Sequence, residues 1–90
     1  MAEHGTSRTE VEQVIRGLLA DALRVDRGVI DALPDQTELF GPRIALSSLA
    51  GAALLGAVHR RFGVDVADED LNLDSLQSIA TLRDFVAARV

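Results

Sequence analysis

Apolar residues stand at Val11, Val14, Ile15, Leu18, Leu19, Ala22 and Leu23, in the three- and four-residue steps that gather side chains on one side of a helix. Glu12, Gln13, Arg16 and Asp21 fall between them and are expected to keep the opposite side wet. Just ahead, Thr9-Glu10-Val11-Glu12 has capping-box spacing, which puts the N-cap at Thr9 with Glu12 reaching back. This first helix is expected to end near Arg24 or Val25. Residues 1–8 are polar and aperiodic and are read as a disordered N-terminus, leaving 9–90 as a single domain.

Asp26 to Leu46 is longer than an ordinary helix–helix connection. Val29, Ile30, Leu33, Leu39, Phe40, Ile44 and Leu46 are spread through it and are expected to pin it to the core. Pro34 bars a helix from running through Leu33, and Gly41-Pro42 marks a turn. A second helix is predicted from about Ser47 to Arg61, with Leu54, Leu55, Val58 and Phe62 on its core face. Gly63 suits its C-terminal cap, and Arg60-Arg61 complement the negative helix end. Val64-Asp65-Val66 reads as an extended link and Asp68-Glu69-Asp70-Leu71 as one helical turn. Thr81 is the expected cap of a last helix bearing Leu82, Phe85, Val86 and Val90, with Asp84 in the acidic capping position. The pattern predicts an all-α fold, a small antiparallel four-helix bundle of three main helices and one short one.

Composition narrows the chemistry. Ninety residues with no cysteine exclude disulfides and thiolate metal sites. His4 and His59 lie far apart in sequence, so a histidine metal site is not expected. All nine basic residues are arginine and the net charge is −5, which argues against nucleic acid as a partner. No apolar run reaches a membrane span, and the first residues lack a signal-peptide layout. No membrane partner, a cytoplasmic location and a monomer are therefore expected. As an enzyme in its own right the chain is weakest: it has no coherent nucleophile–base pair or glycine-rich phosphate loop. The acidic Asp65 to Asp70 group lacks the loop length and terminal glutamate of a calcium site.

The order of elements, with Leu39-Phe40-Gly41 before a serine-headed helix, then Phe62-Gly63-Val64-Asp65-Val66, Asp68-Glu69-Asp70-Leu71 and Ile79-Ala80-Thr81-Leu82, resembles acyl carrier proteins from about Thr9 to Val90. In that family a Leu-Asp-Ser-Leu motif carries 4′-phosphopantetheine, transferred from coenzyme A to the serine hydroxyl. Ser48 directly precedes Leu49 and lies fourteen residues before Phe62, the family's spacing, so the resemblance makes Ser48 the attachment residue. A second candidate, Asp74-Ser75-Leu76, has only fifteen residues after its serine, too few for the elements that should follow, and is read as a linker. The longer stretch from Leu71 to Gln77 resembles freestanding carriers of secondary metabolism.

Two departures stand out. Ser47 occupies the position of the family's aspartate, which helps the modifying transferase bind metal and dock. From Ser47 to Phe62 there is no Asp or Glu, whereas family members usually present carboxylates there to partner enzymes. Ser47, Leu49, Ala50, Ala53, Gly56, Ala57 and Arg60 are the expected partner-docking positions, on a face whose exposed residues also include His59 and Arg61. The interior glycines Gly51 and Gly56 give up about 1 kcal/mol each relative to alanine and leave that face smooth. The resemblance implies an acyl or peptidyl carrier that shuttles thioesters for polyketide, nonribosomal peptide or related biosynthesis. Its partners would be a phosphopantetheinyl transferase and acyl- or aminoacyl-loading and processing enzymes. The alternative is an armless, carrier-like interaction module.

Overall fold

A computed structural model describes residues 7–90. The expectation for residues 1–6 lies outside the described residues. Among the described residues five helices follow in order: α1 (Arg8–Leu23), α2 (Arg27–Asp31), α3 (Ser48–Phe62), α4 (Val66–Glu69) and α5 (Ile79–Ala87), with a 3₁₀ turn at Asp74–Leu76 before α5. The fold is the expected all-α bundle of three main helices, with one more short helix than predicted, α2 inside the long connection.

Helix α1 begins two residues earlier than the Thr9 capping box implied. Ser7 is the N-cap: its Oγ accepts from the Glu10 N–H at 3.1 Å, and its own N–H donates to Glu10 Oε1 at 3.1 Å. The same spacing of hydroxyl and glutamate occurs twice in register here, and Glu12 is claimed by longer-range partners. The helix closes at Arg24, which takes a left-handed conformation with φ 58°.

Val11, Ile15 and Leu19 of α1 meet Leu54 and Val58 of α3, Ile79, Leu82 and Val86 of α5, and Ile30, Leu39 and Val66 in one fully buried core. Complete burial of each such side chain stabilises by about 1.5–3 kcal/mol. Not every apolar residue of the connection is an anchor. Val29 and Phe40, expected in the core, are 56% and 58% exposed; α2 turns Ile30 inward, and its neighbour Val29 faces solvent. Val90, expected on the last helix, lies beyond its end and is also exposed.

Arg16, expected on the wet side, is only 6% exposed. Its Nη1 donates to the carbonyls of Ile30 at 2.7 Å and Leu33 at 2.8 Å, and its Nε donates to Glu12 at 2.9 Å. Glu12 also accepts from Arg83 Nη1 at 2.8 Å, and Arg83 reaches Asp35 at 2.8 Å. Ion pairs thus tie α1 to the connection and to α5, and the Arg16 hydrogen bonds to carbonyls tie it to the end of α2. A buried carbonyl left without a donor is costly; Arg16 supplies the donor to Leu33, whereas the Ile30 carbonyl also accepts from the Leu33 N–H at 3.1 Å.

The hydrogen bond from Arg83, joined by that from Arg16, holds the Glu12 carboxyl below its ordinary value of 4.5 against the opposing effect of burial. A carboxyl depressed by folding contributes stability above its unfolded pKa and loses it as pH falls through the folded value. Denaturation midpoints are therefore expected to fall as pH drops below about 4.5, and Glu12→Gln to flatten that fall. Urea melts of both proteins across the acid range check this.

The start of α5 also differs from expectation. Ser78, not Thr81, is its N-cap, accepting from the Thr81 N–H at 3.1 Å, while Thr81 Oγ1 accepts from the Ser78 N–H and donates to the Ser75 carbonyl. Asp84 takes no capping role; it pairs with Arg83 and Arg8. The Val64 to Val66 link is not fully extended, because Asp65 caps α4 and Val66 opens it, with Val64 and Val66 buried. Leu71 falls outside that turn and is 85% exposed.

Candidate functional site at the head of α3

The connection reaches α3 by a defined route. Leu39 donates its N–H to Gln77 and accepts from Leu46 at 2.9 Å, so this stretch is held against the approach to α5. Ala45, with φ 50°, sits in the left-handed region between the buried Ile44 and Leu46. That conformation disfavours an L-residue by roughly 1–2 kcal/mol, offset here by core anchors on both sides. The chain therefore enters α3 from a fixed point.

Ser47 is the N-cap of α3, its Oγ accepting from the Ala50 N–H at 3.0 Å. The first helical bond runs from the Gly51 N–H to the Ser47 carbonyl at 2.7 Å, so the N–H groups of Ser48 and Leu49 precede the intrahelical ladder. Ser48 is exposed as the first helical residue, and Leu49 beside it is 83% exposed. The first turn has no acidic residue, while His59, Arg60 and Arg61 lie in the last turn. An exposed hydroxyl at the positive end of a fifteen-residue helix, with no carboxylate in the turn, fits a phosphodiester.

Ser75 is placed differently. It is 7% exposed, and its Oγ is fully enclosed without a hydrogen-bond partner. Asp74–Leu76 is a 3₁₀ turn rather than a free linker, with the Ser75 N–H donating to Asp70 Oδ2 at 2.7 Å. That bond is the chief cause of the lowered Asp70 pKa.

The family model for the phosphopantetheine attachment site matches residues 13–86. The chain belongs to this phosphopantetheine-binding family of acyl carrier proteins. No curated protein and no solved structure matches it. Proteins of this family carry covalently attached 4′-phosphopantetheine as their cofactor. Among the described residues, no helix is long and apolar enough to cross a membrane, and no group of three or more His, Cys, Asp or Glu could hold a metal ion.

The carrier's expected docking positions do not all share one surface. Ser47, Leu49, Ala53 and Arg60 are exposed, and Gly56 and Ala57 are half-buried. Ala50, expected on the exposed face, is instead buried at 9%, because one turn before Leu54 it lies on the core side of α3. Gly51 is buried too; an added Cβ would meet Leu46 at an ordinary 3.7 Å. The residue that sequence reasoning missed is Arg16. Its signal was a glutamate four residues earlier and apolar residues at Ile15, Leu19 and Ala20, which put it on the border of the apolar stripe.

Proposed function

We propose that Ser48 bears the phosphopantetheine and that the protein carries acyl or aminoacyl thioesters between enzymes of a secondary-metabolite pathway of the polyketide or nonribosomal peptide type. The observation that carries the attachment reading is the contrast between an exposed Ser48 at the head of α3 and an enclosed Ser75. In the transfer, the Ser48 Oγ–phosphorus bond forms and the pyrophosphate bond of coenzyme A breaks. Adenosine 3′,5′-bisphosphate leaves, and the hydroxyl proton passes to a base on the transferase. Ser47 contributes by holding the helix terminus so that Ser48 projects outward.

The test is intact-protein mass after incubation with coenzyme A and a broad-specificity phosphopantetheinyl transferase. A gain of one phosphopantetheine is expected. An unmodified mass, repeated with the transferase of the native host, would overturn the reading in favour of the armless interaction module. Cargo class follows from the same holo-protein, by scoring which acyl- or aminoacyl-loading enzymes charge its thiol.

Ser47 keeps the capping hydrogen bond that an aspartate would make, since both residue types are good N-caps, but it leaves out the charge. Adding that charge, as Ser47→Asp with Ala53→Glu, is expected to raise transferase kcat/KM by about tenfold through faster encounter with a basic partner surface. Thermal stability should be unchanged or slightly higher, because an anion suits the helix N-terminus. Steady-state loading kinetics check this. No gain in kcat/KM would count against a docking role for the missing carboxylates.

A further inference from the structure

The chain is acidic overall, yet its arginines are not all neutralised by its own carboxylates. Among the described residues Arg8, Arg16, Arg27, Arg83 and Arg89 form ion pairs, whereas Arg24, Arg43, Arg60 and Arg61 form none. Two of these four stand side by side on one groove. It lies between α1 and α3, has a volume of about 430 Å³, and is walled by Leu18 and Ala22 on one side and Ala53 and Ala57 on the other, with Arg60 and Arg61 on its edge. Asp21 also borders it but pairs with neither arginine.

Both arginines lie against α3. Arg61 lies over the Phe62 ring, 5.4 Å from its centre. Arg60 folds back along α3 over Gly56, where an added Cβ would come within 3.4 Å of its Nη1. No carboxylate stands anywhere on α3 to compete for these cations.

We infer that this α1–α3 groove docks an acidic helix of a partner protein, its apolar side seated between Ala22, Ala53 and Ala57 and its carboxylates paired with Arg60 and Arg61. That the partner is an enzyme handling the carrier's cargo rests on the function proposed above; the groove and its charge do not. Small side chains on both walls let another backbone come close. Two adjacent guanidinium groups offer charge-assisted hydrogen bonds to a carboxylate row. The polarity is the reverse of a carboxylate-bearing helix meeting a basic enzyme, so the partner set differs in charge.

The test uses isotope-labelled full-length protein and two alanine- and leucine-rich helical peptides, one with glutamates along one side and one with lysines at the same places. The glutamate peptide is expected to shift the amide resonances of Leu18, Ala22, Ala53, Ala57, Arg60 and Arg61, and to lose its effect in about 1 M salt. Arg60→Gln with Arg61→Gln, and separately Ala53→Glu, should each weaken it about tenfold. Shifts elsewhere, equal binding of the lysine peptide, or no effect of these substitutions would overturn the inference. Binding of phosphatidylglycerol vesicles through the same residues, as strongly as the peptide, would overturn it in favour of an anionic lipid surface. Transferase loading of the same variants separates the two readings: peptide binding without loading sinks the Ser48 assignment alone, and loading without peptide binding sinks the groove alone.

Discussion

Alanine at position 48 is expected to abolish phosphopantetheine loading completely, while alanine at position 75 leaves the mass gain at its wild-type level. The two serines are each followed by leucine, and Ser75 has the aspartate before it that Ser48 lacks, so a short motif alone favours Ser75. Surroundings reverse the order. A transferase must bring the pyrophosphate of coenzyme A in line with the hydroxyl, and only an exposed oxygen permits that approach. Ser48 heads a long helix and is exposed; Ser75 Oγ is enclosed behind a 3₁₀ turn. Ser75 Oγ makes no hydrogen bond of ordinary geometry, and Asp70, the carboxylate that its side chain influences, keeps the Ser75 N–H, so Ser75→Ala should fold about as well as the parent. Mass spectrometry of the two variants after identical incubation decides the matter. Loading that survives Ser48→Ala but not Ser75→Ala would reverse the assignment.

The second large effect is structural. Arg16→Ala is expected to lower the unfolding free energy by about 2 kcal/mol, read from urea denaturation, because it leaves the Leu33 carbonyl without a donor, takes one of two guanidinium partners from Glu12 and removes a buried side chain. A domain of this size has on the order of 5–13 kcal/mol to lose, so the change is a large share of the total. Arg16→Lys should recover about half of the loss: an ammonium keeps the charge and three donors but lacks the planar fork that reaches Ile30, Leu33 and Glu12 together. Arg16→Met keeps much of the apolar stem but no donor, and is expected to resemble alanine. If all three variants unfold within about 0.5 kcal/mol of the parent, as ordinary surface substitutions do, the clasp is incidental. Loading at Ser48 should persist in whatever fraction stays folded, since α3 is capped by its own Ser47.

Competition at one surface links the carrier's two expected encounters. A carboxylate introduced at Ala53 should favour the transferase and disfavour an acidic docking helix, since Ala53 lines the groove that Arg60 and Arg61 border. On the docking proposed above, the absence of Asp and Glu from α3 would serve partner selection at the expense of loading rate. Measuring both on the Ala53→Glu protein would show opposite changes.

What the sequence determined by itself is what local rules govern. The apolar stripe of α1, the span of α3, the αL cap at Gly63 and the all-α class follow from periodicity and from residues whose conformational preferences act over one turn. The serine at the head of α3 was legible from its spacing to Phe62. What the tertiary structure alone decided is which of several locally equivalent groups does a job. Ser7 caps α1 although Thr9 has the same spacing, because Glu12 is drawn to Arg16 and Arg83, the latter on a helix seventy-one residues away. Ser78 caps α5 because the backbone there is tied to Asp35 and Thr37 of the connection. Arg16 is buried because the carbonyls of Ile30 and Leu33 come to lie beside it. Ser48 is open and Ser75 closed because one stands at a helix end facing water and the other in a turn packed before α5. Burial and long-range pairing depend on which segments meet, and no local pattern carries that information.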